Sequence, residues 1–196
     1  MSVHRQGKPC PAWLSFLLSN PIRRWLQPPS DLLGIIGVKS SDVVIDFGCG
    51  PGFYTLELAK RAQLAVAVDI SSEMLKKVQY HAAKTGAKNI NFLQSDGTKL
   101  QIENQTVDIV FLVTVYHEIQ SHRVVLEEFS RVLKPEGRLI VVEVVKPSLL
   151  PGAPVQDSEA IRKDIEENGF FKLEKTLPYK KSAVLFFHKL ISPKLD

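Results

Sequence analysis

The stretch Val43–Thr55, VVIDFGCGPGFYT, decides the reading of this chain. An apolar run carries an acid, Asp46, close to its end. Gly48, Gly50 and Gly52 then follow at every second position. Glycine permits positive φ and lets another backbone or a ligand approach closely. Set between a strand and a helix, such a loop places a ligand beside the helix N-terminus, at the carboxyl edge of a sheet. A nucleotide-like ligand is therefore the first expectation.

The spacing narrows the choice. The dinucleotide fingerprint is GxGxxG, and here the position of its last glycine is Phe53. No Lys-Ser or Lys-Thr follows, which excludes a P-loop. Two more acids stand where later strands should end: Asp69 closes Leu64–Asp69 (LAVAVD), and Asp96 follows Ile90–Gln94. A carboxylate accepts from ribose hydroxyls or an exocyclic amine and repels phosphate. Three acids around one crevice suit a nucleoside ligand carrying positive charge.

Working outward, strand-like runs at Val43–Phe47, Leu64–Asp69, Ile90–Gln94, Val107–Val113 and Arg138–Val145 are nearly continuous in Val, Ile, Leu and Phe. Strands buried on both faces of a parallel sheet read this way. Helical segments are expected at Phe53–Ala62, Ser71–Thr85 and His122–Leu133, the second capped by Ser71 and stopped at Gly86. Lys134–Gly137 (KPEG) reads as a turn. The connection Gly97–Thr106 leaves room for little more than one helical turn. Glu159–Asn168 reads as a last helix. Two strand-like runs, Phe170–Leu177 and Ser182–Leu190, follow across a link so short that they must pair antiparallel. The fold class is α/β: a three-layer, doubly wound, mostly parallel seven-stranded sheet closed by a C-terminal antiparallel hairpin.

The totals agree with one globular domain. The chain has 196 residues, 44% hydrophobic and 23% charged, with net charge +4. That mild basicity does not demand nucleic acid or anionic lipid. Two cysteines, Cys10 and Cys49, form no disulfide framework and no metal spacing, which points to a reduced, cytoplasmic setting. No apolar run approaches the roughly 20 residues that span a bilayer, and no signal-peptide pattern is present. Pro28-Pro29-Ser30 reads as a joint between an N-terminal helical arm or lid (residues 1–30) and a single domain (31–196). The arm carries Trp13, Phe16, Trp25, Arg23 and Arg24. It reads as a helix packed on the sheet, or as a lid touching a membrane peripherally.

DFGCGPG, VAVD, SDG, VDIVFLVTVYHEI and VLKPEGRLIVVE, in that order, resemble the successive motifs of class I S-adenosylmethionine-dependent methyltransferases. The similarity runs from about Ser40 to Leu190 and is closest to the type 11 group, which includes the ubiquinone and menaquinone C-methyltransferases. The resemblance implies a Rossmann-like methyltransferase fold, S-adenosyl-L-methionine as cofactor with S-adenosyl-L-homocysteine as product, and no metal. Gly48, Cys49, Gly50 and Gly52 would pack against the methionine part, and Asp46 would orient its ammonium. Asp69 would take the ribose hydroxyls, with Ile70 against the adenine. Asp96 would take the adenine amine, helped by Gly97, and the backbone at Leu112 and Val113 would accept from the ammonium.

Acceptor chemistry falls on the segment after the fourth strand. His117 is the expected general base and Tyr116 an orienting group, against the plain alternative of a structural histidine. The plain alternatives are helix caps for Asp69 and Asp46, a turn residue for Asp96 and a space-filling residue for Cys49. No Asn-Pro-Pro-aromatic motif occurs, and the insertions are few: the N-terminal arm and the Lys146–Gln156 loop (KPSLLPGAPVQ), which would shape the acceptor pocket and leave little room for a large acceptor. A small-molecule acceptor, of apolar or quinone-like type, is the expected partner. Oligomeric state is not readable. Arsenite is rejected, because that chemistry needs several thiols. The competing readings are an RNA or protein methyltransferase, a non-catalytic S-adenosylmethionine-binding sensor or partner subunit, and a nicotinamide dehydrogenase.

Overall fold

A computed structural model describes residues 29–146 and 154–191. The N-terminal arm and most of the Lys146–Gln156 loop lie outside the described residues. The order is α1 (Pro29–Ile36), β1 (Val43–Phe47), α2 (Thr55–Leu58), β2 (Leu64–Asp69), α3 (Ser72–Thr85), β3 (Ile90–Gln94), β4 (Val107–Val113), a 3₁₀ turn (Tyr116–Glu118), α4 (His122–Val132), β5 (Leu133–Val144), α5 (Ser158–Glu167), β6 (Phe171–Tyr179) and β7 (Ser182–Lys189). The seven strands form one sheet in the order β3-β2-β1-β4-β5-β7-β6. All neighbours are parallel except β7, which runs antiparallel to both β5 and β6. This is the doubly wound sheet with a closing hairpin that the strand pattern implies.

The continuous apolar runs have a simple cause. Alternate residues of each strand feed different cores. Ile45, Val66, Val110, Leu112, Leu139 and Val141 face Val125, Phe129 and Val132 of α4 and Ile161 and Ile165 of α5. Val44, Ala65, Ala67, Phe111, Ile140 and Val142 face Leu32, Leu33 and Ile36 of α1 and Leu75 and Val78 of α3. Both faces being covered, period-2 alternation disappears from the sequence.

Several local expectations shift. Pro29 and Ser30, read as part of a joint, open α1, where proline's fixed φ suits the first helical position. The helix after the glycine loop shrinks to Thr55–Leu58, and the residues up to Ala62 continue in turns. Bonds such as Glu57 N–H to Tyr54 carbonyl and Arg61 N–H to Leu58 carbonyl tighten the segment toward 3₁₀ geometry. Lys134–Gly137 is not a turn before a strand but an offset within β5. Pairing with β4 jumps from Val107↔Leu133 to Ile109↔Arg138. α3 follows expectation: Ser71 caps it by accepting from Met74 N–H, and Gly86 closes it.

No helix forms between β3 and β4. Arg131 of α4 holds that connection instead. Its guanidinium donates to the carbonyls of Leu100 and Ile102 and to both carboxylate oxygens of Glu128, and Glu128 accepts from Leu100 N–H. Among the described residues, no helix is long and apolar enough to cross a membrane.

Candidate active site

The carboxyl ends of β1, β2 and β4 meet at the glycine loop. Asp46 is buried on β1, and its Oδ2 accepts from Thr55 Oγ1 at 2.5 Å. Burial pushes its carboxyl up to about 7. The Thr55 bond opposes that rise, and the nearby Asp69 carboxylate adds to it. Asp69 ends β2. Its Oδ2 accepts from Gly50 N–H and its Oδ1 from Ser71 N–H, both at 2.8 Å. Burial raises its pKa, and the two backbone bonds oppose the rise. Each oxygen retains lone-pair capacity for a further donor.

The loop's own amides explain its chemistry. Gly48 and Cys49 N–H both donate to Val68 carbonyl, at 2.8 and 3.0 Å. Gly50 N–H goes to Asp69, and Gly52 N–H goes to Cys49 carbonyl. Pro51 has no N–H. Phosphate-binding loops aim such amides at the ligand; here they are used within the protein, in keeping with the poor fit of the glycine spacing to the dinucleotide fingerprint.

The three glycines serve different ends. A Cβ on Gly48 would lie 2.5 Å from Val115 Cγ2, and one on Gly52 would lie 2.8 Å from Val78 Cγ1. Those two admit protein. A Cβ on Gly50 would meet nothing within 4 Å. Gly50 alone faces open space, so the room for a ligand is concentrated at one residue. Cys49 is buried and burial raises its thiol pKa, as a space-filling residue requires.

Ile70 follows Asp69 and is 56% exposed, an apolar side chain left on the rim. Its carbonyl accepts from Gln94 at the end of β3. Asp96 is exposed and forms an Asx-type turn, with its Oδ1 accepting from Thr98 N–H and hydroxyl. Those bonds hold its pKa down. Gly97 lets the ring of Phe47 approach: a Cβ there would lie 2.6 Å from Phe47 Cζ. Leu112 is buried in β4 and Val113 half-buried at its end. Glycine loop, Asp69, Ile70 and the rim of β4 thus form one crevice. It presents an open glycine, acids with spare lone pairs and an exposed apolar rim.

The 3₁₀ turn joins this crevice through Val115, which packs on Gly48. His117 Nδ1 lies 3.2 Å from both oxygens of Glu143, a fully buried acid of β5. Its Nε2 lies 3.9 Å from Glu118 Oε1. Burial would lower the His117 pKa, but the Glu143 bond and charge, with that of Glu118, more than offset it, so the net direction is up. Glu118 is itself raised by burial, opposed by His117, with Glu143 and Asp69 adding to the rise. Tyr116 is placed differently from an acceptor-facing group: it is 2% exposed and its hydroxyl donates to Asp164 Oδ2. Sequence reasoning missed Glu143. The available signal was a lone carboxylate inside the apolar run Leu139–Val145, since a buried charge needs a partner.

The chain belongs to the methyltransferase-domain family, whose model matches residues 38–183. Fold and family together define a methyltransferase domain. The demethylmenaquinone methyltransferase of Lactococcus lactis is 30% identical over 54% of this chain and 43% of its own length. A ubiquinone/menaquinone biosynthesis C-methyltransferase of Azotobacter vinelandii is 31% identical over 57% of this chain and 46% of its own. The chain therefore spans less than half the length of these two relatives. The crystal structure of a SAM-dependent methyltransferase from Aquifex aeolicus superposes with a TM-score of 0.83 at 26% identity. That match covers 92% of this chain and 98% of the other.

Proposed function

We propose that this protein transfers the methyl group of S-adenosylmethionine to a small, uncharged, largely apolar acceptor that gives up a proton from carbon or oxygen, as a reduced quinone does. The observation that carries this reading is the His117–Glu143 pair beside the glycine loop. The bound cofactor supplies an electrophilic methyl on a positively charged sulfur; everything else falls to residues of the chain.

Asp69 holds the ribose hydroxyls with its spare lone pairs, Gly50 admits the amino-acid part, and Ile70 covers the base. Asp46 stands within the same loop as the acid that answers the ammonium, and Asp96 and Gly97 line the adenine end. The backbone at Leu112 and Val113 accepts from the ammonium. Orientation of this kind contributes about 7–11 kcal/mol in favourable systems. A carboxylate only accepts, so Glu143 fixes the neutral His117 tautomer with its proton on Nδ1. Nε2 then carries the lone pair that would take the acceptor's proton; the bound cofactor would supply the methyl, its sulfur–methyl bond breaking to leave S-adenosylhomocysteine. Tyr116 acts from behind, by holding the turn.

Charge favours a small neutral acceptor over RNA. Asp46, Asp69, Glu118 and Glu143 surround the turn and crevice, and a polyphosphate chain is repelled there. The curated quinone-biosynthesis relatives point the same way. The test has two parts. Calorimetry should show binding of S-adenosylmethionine and S-adenosylhomocysteine and none of NAD. Incubation with reduced demethylmenaquinone should then give a product heavier by one methyl, and His117→Ala should reduce that rate by about a hundredfold. Methylation of transfer RNA but not of the quinol would overturn the proposed acceptor class.

A further inference from the structure

One cluster beside the site has no part in the chemistry above. It joins the 3₁₀ turn, the first residue of α4 and the middle of α5. The His122 ring stacks on Tyr116, with centroids 4.5 Å apart and planes at 30°. His122 Nδ1 lies 2.6 Å from Asp164 Oδ2, and His122 Nε2 lies 3.2 Å from the Tyr116 carbonyl oxygen. Tyr116 hydroxyl donates to the same Asp164 oxygen at 2.5 Å. A carbonyl oxygen only accepts. The ring can donate from Nε2 to that carbonyl and from Nδ1 to Asp164 Oδ2.

We propose that His122 and Asp164 are positioning residues that clamp the Tyr116–Glu118 turn and thereby hold His117 on Glu143. The inference rests on the reading of His117 as the base. The turn needs such support. It spans only three residues, and Val115 gives it no side-chain cap. It follows Thr114, a non-glycine residue at φ 57, a backbone conformation that persists only where surrounding contacts impose it. The clamp grips both ends of Tyr116, carbonyl and hydroxyl, one peptide bond from His117.

The surrounding charges leave the clamp intact. On the turn, Glu118 and His117 face each other and Glu143 of β5 takes His117. On α4, Arg123 lies over the Phe170 ring. On α5, Lys163 pairs with Glu167, and Arg162 pairs with Glu159 and Glu166. Asp164 is the carboxylate that faces His122.

Nitrogen-15 NMR of the histidine rings in the full chain tests the proposal without any acceptor. Asp164→Asn should move the His117 titration midpoint down by about one pH unit as its grip on Glu143 loosens. Tyr116→Phe should move it less, in the same direction. Asp164 and His122 side chains are 42% and 30% exposed, so these changes leave the core untouched. If Asp164→Asn does not fold, Tyr116→Phe and His122→Gln decide by the same readout. An unchanged His117 midpoint in the folded variants overturns the clamp. Undiminished methyl transfer by His117→Ala would instead sink the base role and leave the NMR result standing.

Discussion

The glycine loop permits a sharp separation of folding from binding. Consider Gly48→Ala and Gly50→Ala. Both glycines sit at positive φ, +68 and +52, so alanine costs about 1–2 kcal/mol at either position through the left-handed backbone alone. At Gly50 that is the whole folding cost, because the added methyl meets nothing within 4 Å. At Gly48 the methyl lands 2.5 and 2.6 Å from the two γ-carbons of Val115. Val115 is β-branched and stiff at χ1, so it cannot swing aside cheaply. Overpacking adds about 1–3 kcal/mol, making roughly 2–5 kcal/mol in all. Binding should reverse the ranking. The Gly50 methyl stands in the space offered to the cofactor, and affinity for S-adenosylmethionine should fall by at least about tenfold. Urea denaturation gives the first quantity and calorimetry the second. Adding Val115→Ala to Gly48→Ala should recover part of the lost stability, a favourable coupling in a double-mutant cycle. The reasoning is refuted if folded Gly50→Ala binds the cofactor as tightly as wild type, or if both variants lose equal stability.

Asp46, with its folded pKa near 7 against an ordinary 3.8, binds its proton more tightly in the native state. Its contribution therefore weakens stability as pH rises from about 4 to 7, by an upper bound on the order of 4 kcal/mol. Asp46→Asn should flatten that part of the urea-midpoint profile. A cation docking beside Asp46 should also expel its proton at pH 7, seen as a buffer-dependent binding enthalpy. Glu143→Gln removes the partner that raises His117 and leaves burial to lower it, so the rising limb of the pH–rate profile should move to lower pH. An unmoved limb would detach His117 from that limb. Arg131→Ala should cost about 1–3 kcal/mol and speed amide exchange at Leu100, because Arg131 substitutes for a helix over that connection.

The bounds of β1 through β4 were legible because each is a dense apolar run stopped by an acid, a glycine or a polar turn. The parallel architecture followed from the same density. Less legible was anything decided by distant partners. The residues after Leu58 have helical composition, yet hydrogen bonding to the third preceding residue tightens them into turns. KPEG carries strong turn chemistry, yet Leu133 still pairs with Val107 and draws the segment into β5. At the site, Asp69 could be read as a ribose ligand or as a cap. In the fold it already ties Gly50 to Ser71, a double duty that no spacing rule expresses. Tyr116 and His117 are adjacent in sequence, yet one faces α5 and the other β5. Glu143 was concealed by its apolar neighbours.

The internal bonding of the glycine loop has a consequence for how the two substrates are told apart. Its amides are satisfied before any ligand arrives, so binding the donor need not order the loop, and little affinity is lost to that step. Donor recognition is then written mainly in main-chain shape and in a few carboxylates rooted in the core. On the proposed function the acceptor side is the opposite case, resting on the side chains of a short turn outside the strands. A scaffold divided this way can keep one methyl donor fixed while its acceptors diversify.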